Sequence, residues 1–256
     1  MIKKINILLL TDSSIQLKNF IDIYIRNYKK RKLINIKAIA LNHNKNFYLD
    51  IPSIDITKKK REKKLIEIIK KKKINFIICL HYKWILSHKI LSLVDFNAIN
   101  VHGADTRVFR GNHTTIFHIL KNKKYICSTM HFINKEVDRG KIIKIKKLKI
   151  KKLDTGQSLQ EKLLTQGFDM ILKLFKNLIN HEINFTKFLK NKNTAEKNSN
   201  KAKYIKINEI FKYKRIKNFK DLELKARAFD YDRHEPAYIL LNGIKYYVRI
   251  DNGIKK

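Results

Sequence analysis

The chain has 256 residues, 44% of them hydrophobic, enough apolar material for a domain of ordinary size with a small appendix. Its 58 Lys and Arg against 22 Asp and Glu give a formal charge of +36, yet apolar periodicity persists nearly everywhere, which argues against wholesale disorder. Two cysteines inside apolar runs make no disulfide framework and have no zinc spacing, no run reaches the ~18 apolar residues of a membrane span, and the N-terminal apolar run lacks a cleavage site; a cytoplasmic protein is expected.

Taken alone, the charge suggests a nucleic-acid or anionic-surface partner. Lys, Ile and Asn are over-used together, however, and the lysines are spread along the chain rather than gathered with arginine and stacking aromatics. That favours an AT-rich coding bias, although an anionic substrate would still feel the field.

In chain order, "INILLL" reads as a strand, closed by the turn "TDSS" and followed by a segment with helical spacing. Residues 33–41 form a second strand. Residues 58–72 carry Leu65, Ile66, Ile68 and Ile69 on one face and lysines on the other, an amphipathic helix. Then come a strand at 75–80, a short helix at 84–94 and a strand beginning at 97–100. A helix at 114–120, strands at 126–134 and 142–150, and a long helix opened by a Ser158–Glu161 capping box complete the body. Strands that are almost wholly apolar and alternate with helices predict an α/β fold, a Rossmann-like, mostly parallel sheet with helices on both faces. The first strand-to-helix turn has no glycine, which excludes a dinucleotide pyrophosphate loop.

The polar stretch 191–203 reads as a linker between a body at 1–190 and a small α+β C-terminal subdomain at 204–256. That tail holds "YIKINEI", a helix near 218–228, and a β-hairpin turning at Asn242-Gly243, a type I′ signal. Phe229, Tyr231 and Tyr238 are its candidates for burial against the body.

Sites in such sheets lie beyond the carboxyl ends of the strands. Asn100 and His102 stand at one such end, two residues apart and so on one face. The intervening helix and strand can return Asp138 beside them. An amide donor, a neutral imidazole and a carboxylate together suit transfer of an acyl-type group to an amine. The carboxylate would raise the imidazole pKa and burial would lower it; sequence does not rank the two. His131 fits either a core histidine or a direct participant. His81, His88, His113 and His118 read as structural or surface groups.

The blocks "NVHGADTRVFRG" and "STMHFINKEVDRGKII", with "WILSHKIL" and "LDTGQSLQEKL", resemble the formyltransferases that use N10-formyltetrahydrofolate. The resemblance covers about residues 4–180. Ala104 and Arg107 replace the usual serine and proline of the loop after His102, and Arg139 replaces threonine. The resemblance implies catalysis by Asn100, His102 and Asp138, without a metal. It implies folate contacts at Trp84, Ile85, Leu86, Val137 and Gly140, and acceptor contacts at Arg110, Gly111 and Asn112, although Asn112 also suits a helix cap.

Its tail, "LKARAFDYDRHEPAYILLNGIKYYVRI", is similar to that of the nucleotide-sugar N-formyltransferases. The implied acceptor is a nucleotide-linked 3- or 4-amino sugar, usually dTDP-linked, for surface polysaccharide. Methionyl-tRNA is the alternative, and an inactive, basic nucleic-acid-binding protein on the same core is another. An exposed hairpin leaves room for a homodimer.

Overall fold

A computed structural model describes residues 4–12, 14–41, 51–55, 61–190, 192, 194–196, 202–205, 210–232 and 234–251. The expected helix residues 58–60, most of the expected linker, and 206–209 of the tail lie outside these.

Seven strands form one sheet in the order β3-β2-β1-β4-β5-β7-β8. They are β1 (Ile5–Thr11), β2 (Ile34–Leu41), β3 (Ser53–Asp55), β4 (Phe76–Leu80), β5 (Ala98–His102), β7 (Tyr125–Phe132) and β8 (Ile142–Lys149). All pairs from β3 to β5 are parallel, while β7 runs antiparallel to both β5 and β8. The central strands are buried on both faces, and so they read as unbroken apolar runs; β4 is buried at every residue. β8 is an edge strand that alternates apolar with exposed lysine, charge that discourages pairing with another chain.

Helices cover both faces, as expected. On one side α1 (Ile15–Asn27), α5 (Gly156–Ile179) and α6 (Phe185–Leu189) bury Phe20, Tyr24, Phe168 and Phe175 against the sheet. On the other, α2 (Arg61–Lys71) and α3 (His88–Ser92) bury Leu65, Ile69, Ile90 and Leu91. Two expected helix starts move. The chain at 84–86 is not helical, because the Ser87 hydroxyl accepts from the Ile90 amide and starts α3 there. In α5 the capping box is Thr155 with Ser158, their side chains bonding reciprocally to each other's amides, so Ser158 lies inside the helix rather than capping it.

A third apolar cluster joins α4 (Thr114–Leu120) and α5 to the C-terminal segment, with Ile116, Leu159 and Leu163 against Ile216, Phe229, Tyr231 and Ala237. That segment contains β10 (Arg215–Ile216), a 3-10 turn capped by Asn218, α7 (Leu222–Ala228), and the hairpin β11 (Ala237–Leu241) and β12 (Ile244–Val248). Asn242 and Gly243 both have positive φ, 48° and 80°, as a type I′ turn demands. Phe229 and Tyr231 are buried; Tyr238 is only half-buried.

Of the expected linker, the described residues lie along the body. Ala195 bridges Gly140, the Lys141 amide donates to Thr194, and β9 (Lys203–Ile205) pairs in parallel with β6 (Phe109–Gly111).

Candidate active site

Strand period places Asn100 and His102 on one face of β5, at its carboxyl end. The antiparallel register sets His131 of β7 directly across from Asn100, so this imidazole comes to the site through pairing and not through nearness in sequence. Asp138 arrives from the β7–β8 turn with a φ of 55°, a left-handed conformation that Asp tolerates better than most residues. Two residues on, a Cβ at Gly140 would stand 1.7 Å from the Phe132 carbonyl oxygen. Only glycine lets this turn close so tightly onto β7.

The four polar side chains meet. Asp138 Oδ2 is 3.8 Å from His102 Nδ1 and accepts the Gly111 amide at 3.1 Å. Its Oδ1 is 3.6 Å from His131 Nε2 and accepts from Asn100 Nδ2 at 3.4 Å. His131 Nδ1 bonds the Phe132 carbonyl at 2.8 Å. His131 Nε2 also lies 3.3 Å from Asn100 Nδ2.

Burial alone would raise the Asp138 pKa, but the two imidazoles and the Gly111 N–H hold the carboxyl well below the usual carboxylate range. For His102, burial wins: the ring titrates below its ordinary value despite the Asp138 carboxylate. His102 Nε2 is buried, with no hydrogen-bond partner among the described residues. Such a set holds a neutral imidazole beside a fixed negative charge, a poise suited to accepting a proton.

These groups form the floor of a cavity of about 470 Å³. Trp84, Ile85, Leu86 and Val137 line it, as do Gly111 and Asn112. All three residues of the non-helical segment 84–86 contribute to this lining. Arg61 and Lys83 lie against the Trp84 ring, 4.2 and 5.3 Å from its centroid. Arg110 and Gly140 stand outside that lining: Arg110 donates to the Ala202 carbonyl and Gly140 packs on β7. The cap of α4 is His113, without a side-chain cap bond, rather than Asn112. Tyr204, Lys83 and Lys135 also face the cavity. Tyr204 comes from the β6–β9 pairing, for which residues 202–205 carry no strong sequence signal.

The substituted loop is held by other means. Asp105 accepts from Arg107 Nε at 2.9 Å and Nη2 at 2.7 Å, a two-pronged pair that fixes the turn where proline is usual. Ala104 is buried, and its carbonyl accepts from the buried Thr129 hydroxyl at 2.6 Å. Arg139 pairs with Glu136. Among the described residues no His, Cys, Asp and Glu cluster could hold a metal ion, and no helix is long and apolar enough to cross a membrane. Burial pushes the Cys79 thiol up, away from reactivity.

A mostly parallel sheet with an amide, two imidazoles and a carboxylate gathered over the end of β5 defines an α/β protein built for group transfer. The formyl transferase family model matches residues 22–174, and the chain belongs to that family. It is 28% identical to the methionyl-tRNA formyltransferase of Clostridium tetani over 155 residues, 60% of this chain and 48% of that one. The match thus spans about half the length of the curated relative. Among solved structures, a sugar N-formyltransferase from Shewanella superposes with a TM-score of 0.69 at 23% identity, covering 98% of this chain and 99% of that chain. A methionyl-tRNA formyltransferase from Clostridium thermocellum gives 0.67 at 18%, covering 98% and 95%. At these identities the likeness is one of fold.

Proposed function

We propose that the protein transfers the formyl group of N10-formyltetrahydrofolate to the amino group of a nucleotide-linked amino sugar, with a dTDP-linked 3- or 4-amino sugar as the leading acceptor. One observation carries the reading: Asn100, His102 and Asp138 converge in the lining of one cavity, with Asp138 Oδ2 3.8 Å from His102 Nδ1 and Oδ1 accepting from Asn100 Nδ2 at 3.4 Å.

The unprotonated amine attacks the formyl carbon, forming a C–N bond and an oxyanion. Asn100 Nδ2 donates to that oxyanion, leaving its long contact to Asp138. His102, neutral because burial outweighs the carboxylate, takes the proton the amine sheds. Asp138 stabilises the imidazolium so formed, and the proton passes to the folate N10 as its bond to the formyl carbon breaks. The products are the N-formyl sugar nucleotide and tetrahydrofolate. Trp84, Ile85, Leu86 and Val137 supply the folate wall, and Gly111 and Asn112 the acceptor side. Gly140 acts by shaping the Asp138 turn, and Arg110 by holding the β6 strand against residue 202.

The acceptor rests on the tail. The hairpin segment packs into the body through Phe229 and Tyr231; a solved sugar N-formyltransferase and a solved methionyl-tRNA formyltransferase both match almost the whole chain, so the sequence likeness of the tail carries the preference. The curated methionyl-tRNA relatives keep that acceptor as the second reading.

The test is a panel assay of purified protein with N10-formyltetrahydrofolate and dTDP-amino sugars, glycinamide ribonucleotide or charged initiator tRNA. Formylated sugar nucleotide, absent in a folded His102→Ala variant, is the expected result. Formylation of the tRNA alone replaces the acceptor, and no transfer to any amine rejects the activity.

A further inference from the structure

Beside the cavity mouth, at the seam between the body and the C-terminal segment, four basic side chains arrive from four separate pieces of chain. His113 caps α4 with a φ of 58°, and its ring lies 5.8 Å from that of His234 and 6.2 Å from that of Phe211. Lys214 is 7% exposed, its ammonium 4.5 Å from the Phe211 centroid and 3.2 Å from Glu235. Lys83 follows β4 and lines the cavity. Both lysines act electrostatically on both imidazoles. Burial first, then His234 and the two lysines, hold His113 at about 4; burial and the two lysines also lower His234.

The two ammonium groups thus disfavour protonation of the two imidazoles beside them. Glu235 offsets Lys214, but it is shared with Lys245 and Tyr247. Lys83, and Asn112 next to His113, line the same cavity as His102, so this seam adjoins the proposed reaction centre.

The geometry points to a phosphoanion subsite in this seam: Lys83, His113, Lys214 and His234 take the diphosphate of the acceptor nucleotide while its amine reaches His102. The inference rests on the proposed transfer to a nucleotide sugar and names where its charged half binds. Lys214 is nearly enclosed, which suits a compact diphosphate better than an extended RNA backbone. A bound dianion would favour protonated rings, so binding draws in protons and strengthens as pH falls. Among the described residues, the other charges beside these rings are those of Glu235, paired with Lys214, and of Arg249, which is bonded to Asp230 and to the His234 carbonyl.

The experiment is calorimetric titration of the full chain with dTDP, inorganic diphosphate and a short RNA hairpin, from about pH 8 to about pH 6. Wild type should bind dTDP with proton uptake and more tightly at the lower pH. Lys83→Met and His234→Gln should each weaken dTDP and diphosphate roughly tenfold, the loss of one charge-assisted contact. Lys173→Met, on the exposed side of α5, controls for net charge and should change nothing. Binding of 5-formyltetrahydrofolate should stay intact in His234→Gln and Lys173→Met. Unchanged dTDP affinity in both seam variants, or equal loss in the Lys173 control, overturns the subsite. So does RNA binding that depends on the seam when dTDP does not bind. Normal formyl transfer with no seam-dependent binding rejects the subsite alone, whereas seam-dependent binding without formyl transfer rejects the activity alone.

Discussion

At the His102 ring, burial and the neighbouring carboxylate pull in opposite directions, and burial prevails. The imidazole is therefore neutral at neutral pH. In a pH profile, kcat/KM should hold as pH falls through the ordinary histidine value of 6.5 and decline only below it, as the ring protonates. Asp138→Asn removes the charge that raises this pKa. The acid limb should then move to still lower pH, while kcat/KM falls by about 10²–10⁴ in a variant with an unchanged circular dichroism spectrum. An acid limb that moves upward would contradict the assigned coupling. Asn100 and His102 are legible in the sequence because two-residue spacing on a strand shares a face. His131 is not: its nearness to Asn100 depends on strand register, and within an apolar run it looks like any core histidine.

At the scale of elements, the β7–β8 turn and the segment beside it set the position of Asp138. Gly140 sits against the Phe132 backbone, Ala195 bridges it, and the Lys141 amide bonds Thr194. Gly140→Ala has no room, since the obstacle is a main-chain oxygen; it should cost about 1–3 kcal/mol in urea denaturation and lower activity by moving the turn. Thr155→Ala removes the α5 cap and should cost about 1 kcal/mol without altering the pH profile. Strands and helices with strong apolar periodicity are foreseen within a few residues of their observed bounds. β3 and β6 are not, being three-residue strands held by their partners rather than by pattern.

At the scale of the molecule, the C-terminal segment is fastened by polar as well as apolar bonds. Arg227 donates to the carbonyls of Asp154 and Lys151, the Gln157 amide to Asp230, and the Tyr231 and Thr115 hydroxyls bond at 2.5 Å. Body and tail segments so joined should unfold together. Trp84 is the single tryptophan and lies in the body, so its fluorescence reports there alone. In urea it should lose signal in one transition that coincides with far-UV circular dichroism. Phe229→Ala, although in the tail, should shift both by about 3–5 kcal/mol. A separate tail transition would instead favour two independent domains. The +36 charge looks different at this scale too: lysines on β8 guard a sheet edge, whereas Lys83 and Lys135 face the cavity.

The order of strands and helices, the burial of the central sheet, and the pairing of Asn100 with His102 follow from the sequence itself, because residue period and apolar run length are local properties. Local chemistry also foretold the Asn242-Gly243 turn. Contacts made across long stretches of chain were settled only by the tertiary structure: the balance of charge and burial at His102, the place of His131, the arrival of Tyr204 and Lys83 at the cavity, and the histidine–lysine seam. Each depends on which distant segments a closed core brings together, and on how much water that core excludes.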